Sequence, residues 1–330
     1  YRGELEVGAW YAMVDAPLTR SLRVIAGARR ESTALEVRSL DPRRRAGRLD
    51  NEDVLPSVSG VLTLGERMNL RAAFTRTVAR PNFREIADYT SFEFVGDFVY
   101  IGNPALRRTR ITNLDLRWEW FPRRGEIVAV SVFDKRMTDP IERGVFSVVN
   151  SGELQFQNAP DGRVRGVEFE ARKGLGFLAP WLQPFSAGFN CTWVESAVTI
   201  TPEELRFIRF YEPGAGSTRE LTGQSPFIVN VDLSYRNADT GTTVSVYYNL
   251  FGRRLSQVSP PGTPNVYEEP SPTLDLILGQ SFGRGWKASL SAKNVLNPAA
   301  EETYTYRGRD YLRSSRVRGI TTSFGVTYSF

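Results

Sequence analysis

Along most of the chain, apolar and polar side chains alternate with a period of two, which predicts strands rather than helices. In 111–120, Leu114, Leu116, Trp118 and Trp120 share one face, while Asn113, Asp115, Arg117 and Glu119 share the other. In 165–173, Val167, Phe169 and Ala171 oppose Gly166, Glu168, Glu170 and Arg172. In 228–236, Val229, Val231, Leu233 and Tyr235 oppose Asn230, Asp232, Ser234 and Arg236. In 285–293, Trp286, Ala288, Leu290 and Ala292 oppose Lys287, Ser289, Ser291 and Lys293. Noisier alternation covers 4–14, 20–33, 54–64, 68–78, 126–136, 183–194, 242–253, 272–281 and 318–330, so the pattern predicts thirteen strands. No stretch keeps a helical period over three turns, and the expected fold is all-β.

Strand length and spacing choose between two all-β architectures. Strands of a soluble sandwich average about five to six residues, whereas most of these reach the roughly 9–11 residues of a tilted membrane-crossing strand. The links 15–19, 65–67, 122–125, 174–182, 237–241 and 282–284 are short, and they alternate with long ones at 34–53, 79–110, 137–160, 195–225, 254–271 and 297–317. An up-and-down transmembrane β-barrel has this asymmetry, with short periplasmic turns on one side and long extracellular loops on the other. Aromatics at Trp120, Phe121, Tyr235, Phe282, Trp286 and Phe330 collect at the short-turn end, as an interfacial girdle requires.

Composition narrows the chemistry more than the fold. The hydrophobic fraction is 41% of 330 residues and the mean hydropathy is −0.31, with no apolar run long enough for a membrane-crossing helix. A barrel would hide its lipid-facing residues in just such an average. With one cysteine (Cys191) and no histidine, the chain forms no internal disulfide and supplies no Ser-His-Asp or Cys-His constellation. No catalytic residues, cofactor or metal site are expected. Glu203 with Glu204, and Glu268 with Glu269, are too poor in oxygen ligands to read as calcium sites. A formal charge of +5, spread along the chain, is no nucleic-acid footprint.

Five segments, in order, resemble the barrel of the TonB-dependent outer-membrane receptors. They are LPSVSGVLTLGERMNLRAAFTRTVARPNFREI (55–86), GNPALRRTRITNLDLRWEWFP (102–122), GRVRGVEFEAR (162–172), LTGQSPFIVNVDLSY (221–235) with YNLFGRR (248–254), and NVLNP (294–298) with the terminal Phe330. Arg108 stands where that family often has proline. The resemblance implies a plugged barrel of about 22 strands, of which residues 1–330 would be the C-terminal part, without plug or first barrel strands. It also implies import of a scarce, large ligand (iron-siderophore, haem, cobalamin or oligosaccharide) with energy from the TonB complex, which would act through the missing plug region. Outer-membrane lipid and lipopolysaccharide would surround the chain in a Gram-negative bacterium. The barrel-assembly machinery would read the outward face of the last strand, Phe324, Val326, Tyr328 and Phe330.

Ligand contacts are expected in the long loops. Tyr89, Phe92, Phe98 and Tyr100 offer aromatic surface in one, and Tyr304, Tyr306, Arg307 and Arg309 combine rings with guanidinium groups in another. The competing readings are loop self-packing for the first group, and solvated or lipopolysaccharide-facing loops for the second. Two alternatives stand beside a TonB-coupled receptor: a porin without TonB coupling, and a surface carbohydrate-binding β-protein. Thirteen strands of a larger barrel would leave two unpaired edges.

Overall fold

The computed structural model describes residues 1–91, 99–145, 153–259, 263–283 and 285–330. The thirteen predicted strands form one antiparallel meander: β1 (Arg2–Pro17), β2 (Leu22–Arg38), β3 (Gly47–Leu64), β4 (Met68–Ala79), β5 (Thr109–Trp120), β6 (Ile127–Thr138), β7 (Asp161–Gly174), β8 (Phe185–Thr199), β9 (Phe227–Asn237), β10 (Thr242–Phe251), β11 (Thr273–Phe282), β12 (Trp286–Lys293) and β13 (Thr321–Tyr328). Each pairs with the strand before and the strand after it, so spatial order equals chain order. β1 pairs only with β2, and β13 only with β12; the barrel is not closed, and the two expected edges are present.

Register places the predicted faces on common sides of the sheet. Leu116 lies opposite Ala72 and Val132, Val132 opposite Val167, and Val167 opposite Trp193, so apolar residues form one continuous outer band across β4 to β8. A one-residue slip in any pair would turn that strand's apolar set inward, which is how burial in an apolar medium fixes register. Glu119, Asn113 and Ala129 are buried on the opposite, inner face.

Two predicted long links are strand instead. Residues 34–53 continue the β2–β3 ladder from Leu22↔Leu62 up to Val37↔Gly47, leaving only 39–46 as the connection. The reason is a change of neighbours. On the lower part of β2, Leu22, Val24, Ala26 and Ala28 face outward; above Arg30 the outward residues become polar, while Thr33, Leu35 and Val37 on the inner face are buried. Residues 297–317 fold into the hairpin Ala299–Tyr306 with Arg309–Val317, turned at Arg307 (φ 50°) and Gly308 (φ 74°). Two consecutive positive φ values are the mark of a tight turn matched to strand twist. Helix α1 (Phe83–Ile86) and α2 (Pro202–Tyr211) also sit in long connections.

Candidate functional site

Above the apolar band the long connections build a crown. Leu35, Val37 and Leu49 of the β2–β3 hairpin pack with Ile86, Ala87 and Leu106, joined by Phe83, Ile141 and Phe156. The ARPNF and GNP strings form the seat of this cluster. Asn82 caps α1 by accepting from the Glu85 amide (3.0 Å), and the Glu85 carboxylate accepts from the Asn82 amide (2.9 Å). Arg80 reaches Glu31 and Thr33 on β2. Gly102 is obligatory, since an added Cβ would stand 1.8 Å from the Ala87 carbonyl oxygen. Arg108, the departure from the family pattern, donates to Asp53 on β3 (2.8 Å), so it pins this connection to the hairpin.

Two four-stranded sheets complete the crown. One contains Thr90–Ser91, Val99–Ile101, Glu153–Asn158 and Ile141–Val145; the other contains Arg254–Gln257, Val266–Glu268, Ala299–Tyr306 and Arg309–Val317. They are tied by buried Gln257, whose amide donates to the Tyr100 hydroxyl at 2.5 Å and whose oxygen accepts from Arg313. The Arg143 guanidinium lies over the Tyr100 ring at 5.0 Å. A third tie joins the connection after β8 to the one after β6: Arg219 donates to Glu142 at 2.9 Å, with both side chains nearly buried.

This arrangement sorts the predicted contact residues. Tyr100 is 5% exposed; its ring packs with Leu154 and its hydroxyl is held, so it acts as a structural strut rather than an exposed aromatic. Tyr89 is half exposed and meets Tyr1 edge-on at 6.1 Å. Phe92 and Phe98 lie outside the described residues. Tyr304 stacks on Tyr311 at 5.6 Å within its hairpin. Tyr306, Arg307 and Arg309 are exposed at the hairpin tip, with the Arg307 guanidinium 5.3 Å above the Tyr306 ring. The tip therefore presents two guanidiniums and a ring to solvent, a combination suited to an anionic or aromatic ligand. Arg43 at the top of the β2–β3 hairpin instead binds Asp41 (3.0 Å).

Two ties were hidden from sequence reasoning. Arg253 donates to Glu269 (2.8 Å) and lies 4.4 Å over the Tyr267 ring, and its neighbour Arg254 pairs with Glu268. The partners lie across the connection between β10 and β11, 14 and 16 residues on, and no local pattern pairs them. Helix α2 had a legible cue in Thr201-Pro202-Glu203-Glu204: the Thr201 hydroxyl accepts from the Glu204 amide at 3.3 Å, and proline occupies the first turn.

Electrostatics distinguishes the crown's interior. Burial pushes the Glu85 carboxyl above its ordinary value, opposed by the Asn82 bonds and by Arg143. Burial, together with the Glu220 carboxylate, pushes the Tyr267 phenol up to about 12. Below the crown, charges on the inner face neutralise one another. Arg71 binds Glu119 (2.7 Å), and Arg117 bridges Glu119 (2.9 Å) and Glu170 (2.6 Å) while donating to Ser131. Asn249, Asn230 and Asn190 continue a hydrogen-bonded chain to Glu168. These polar residues make a wettable wall.

At the opposite end, Phe324, Val326 and Tyr328 share the outer face of β13, and Phe330 follows beyond the strand; all four are exposed. The Trp286 and Tyr328 rings lie 4.8 Å apart and the Phe185 and Tyr235 rings 4.9 Å apart, with Phe282 and Trp181 exposed nearby.

The sequence profile described as "TonB dependent receptor-like, beta-barrel" matches residues 1–295. No protein of curated function matches the chain in sequence. Among solved structures, the ferric enterobactin receptor of Pseudomonas aeruginosa covers all of this chain with 54% of its own, at 16% identity and a TM-score of 0.59. A copper transporter, OprC, aligns over 99% of this chain and 48% of its own, at 13% identity and a TM-score of 0.68. The FrpB iron transporter of Neisseria meningitidis gives 99% and 46%, at 12% identity and a TM-score of 0.65. The chain thus spans about half the length of the solved transporters it resembles.

Proposed function

The chain belongs to the TonB-dependent receptor-like β-barrel family, whose barrels are Gram-negative outer-membrane proteins, and from that premise we propose that it is the C-terminal part of an energy-coupled import receptor. The observation that carries this reading is the combination of a polar inner wall with a crown of tied loops. The wall, from Arg71 through Glu119 to Glu170, suits contact with water and a plug rather than lipid. The crown sets Tyr306, Arg307 and Arg309 at an exposed tip.

In this reading, the open edges of β1 and β13 pair with strands supplied from outside these residues, giving a closed cylinder with a plug in its lumen. A ligand too large for a porin docks on the crown, and force transmitted by TonB to the plug opens the path. Metal chelates with anionic or aromatic surfaces, such as ferric siderophores, suit the arginine-tyrosine tip best. The barrel contributes recognition and a wet passage, and no covalent step.

The test is uptake of a panel of radiolabelled ferric siderophores, haem, cobalamin and oligosaccharides by cells with and without the gene. Uptake of one ligand that disappears with the gene, with TonB, and on collapse of the proton gradient supports the reading. Gene-dependent uptake that survives loss of TonB and of the gradient would make the protein a porin-like channel instead.

A further inference from the structure

The last hairpin of the chain is built in two levels. Below, β12 rises and β13 descends, paired from Trp286↔Tyr328 to Lys293↔Thr321. Above, Ala299–Tyr306 continues the rise and Arg309–Val317 the descent, paired from Ala299↔Val317 to Tyr306↔Arg309. The joint between the levels is clipped. Asn294 Nδ2 donates to the Gly319 carbonyl (2.8 Å), and the Gly319 amide donates to Asn297 Oδ1 (3.0 Å). Gly319 itself takes φ 82°, open to glycine without strain. On its other side the rising arm is paired at both levels, β12 to β11 and Ala299–Tyr306 to Val266–Glu268. The descending arm is therefore outermost at both levels, and the free edge of β13 continues upward into a free edge of Arg309–Val317.

That upper edge carries little to keep a strand unpaired. Exposed edges are blunted by lysine, by proline or by a bulge that turns them away. Residues 309–320 hold neither lysine nor proline, and the bulge at Arg313 serves the bond to Gln257. Leu312, Val317 and Ile320 are each more than half exposed along it. Arg316 and Arg318 are exposed and have no carboxylate partner among the described residues. Elsewhere above the apolar band, exposed arginines are paired across a ladder, Arg30 with Glu52 (2.5 Å) and Arg48 with Glu36 (2.6 Å).

We propose that the edge 309–317 is a strand-docking surface with one occupant, the strand that closes the barrel against β13, continued above the membrane. Three observations select it. A strand antiparallel to β13 runs upward, so it arrives at Val317 once it has passed the joint. β13 has 8 residues, whereas β1 has 16, so a partner as long as β1 would overhang β13 by 16 − 8 = 8, and the edge above offers 9. At the opposite edge of the sheet, β1 already stays paired with β2 from Pro17↔Arg23 to Arg2↔Arg38, well past the change of polarity at Arg30. Opposite Arg316 and Arg318 the closing strand would place carboxylates, the pairing that stabilises neighbouring strands. The seam would then be zipped beyond the lipid, and the hairpin that bears Tyr306, Arg307 and Arg309 would be anchored to the first part of the barrel. The proposal rests on the reading above that a strand from outside these residues pairs with β13.

The experiment uses the full-length receptor in outer membranes, with Cys191→Ala and a single new cysteine, Ser315→Cys above the joint or Thr327→Cys below it. A second cysteine is scanned along the closing strand. After oxidation the chain is cut between the two cysteines, and a non-reducing gel reads whether the pieces stay joined. Thr327→Cys should link to one register of the closing strand, and Ser315→Cys to a position further along the same strand. Arg316→Glu with Arg318→Glu should slow the upper link about 10-fold, as like charges face each other across the ladder, while lysine at both positions should keep it and the lower link should not change. A lower link with no upper link at any scanned position would overturn the proposal and leave the barrel reading intact. So would an upper link made to another copy or to another protein. Absence of the lower link too, with no heat-dependent gel migration, would overturn the barrel reading itself.

Discussion

The lower and upper halves of the β2–β3 hairpin share one ladder and one alternation, yet their faces have opposite polarity. Below Arg30, Leu22, Val24, Ala26 and Ala28 face outward while Arg23 and Arg29 face inward. Above it, Arg30 pairs with Glu52 and Arg48 with Glu36 on the outside, while Leu35, Val37 and Leu49 are buried inside against Ile86 and Leu106. Backbone geometry is the same in both halves, so the difference comes from what surrounds them. Lipid rewards an apolar exterior; water rewards a polar one and drives the apolar residues into a core shared with the neighbouring loops. In the outer-membrane reading proposed above, the inversion point is where apolar surroundings give way to water.

The sharpest way to break this comparison is to empty the upper core. Leu35→Ala should destabilise the crown by about 2–5 kcal/mol, seen as faster protease cleavage in 80–108 with heat-dependent gel migration of the barrel unchanged. If the whole barrel fails together, the two halves are one cooperative unit. Leu116→Arg attacks the band instead; a charge on the lipid face should cost about 2–4 kcal/mol and show as a lower urea midpoint, with loop cleavage unaltered. Both effects should exceed any change at the ties.

Among the ties, Tyr100→Phe removes the buried bond from Gln257 and should cost about 1–2 kcal/mol, measured as faster amide exchange at 254–257 without loss of the barrel. The pH dependence of the crown is subtler. Because burial raises the Glu85 pKa, the folded crown holds the proton more tightly than the unfolded chain. Stability therefore falls as pH rises from the ordinary carboxylate value through the raised one. Glu31, Glu36 and Asp41, whose pKa values their arginine partners lower, act in the opposite direction, so the Glu85 contribution is read as a difference: on acidification Glu85→Gln should lose more protection from protease than the wild type does. Smallest of all, Arg48→Ala removes an exposed pair with Glu36 and should shift stability by less than about 1 kcal/mol; a larger loss in urea titration would mean the upper outer face is covered.

The strands were legible because a period of two is a local property with a strong physical cause: one face of each meets an apolar medium. All thirteen emerge where the alternation places them. What escaped was set by partners distant in sequence. Residues 34–53 read as loop because Arg43 to Arg45 and Asp50 to Asp53 obscure the alternation, and only packing against Ile86 reveals Leu35 and Val37 as core. Tyr100 read as an exposed aromatic because nothing near it names Gln257, which lies more than 150 residues away. Even the local cue of Thr201-Pro202 was outweighed, since α2 is too short to show a sustained helical period.

By itself, then, the sequence determined the all-β meander, the outward face of the cleanly alternating strands and the asymmetry of the strand ends, because alternation and turn spacing act between chain neighbours. The tertiary structure alone decided how tall the β2–β3 hairpin stands, and which loop aromatics are struts and which are exposed. Those outcomes depend on side chains that meet across strands and loops, and no local pattern encodes such meetings.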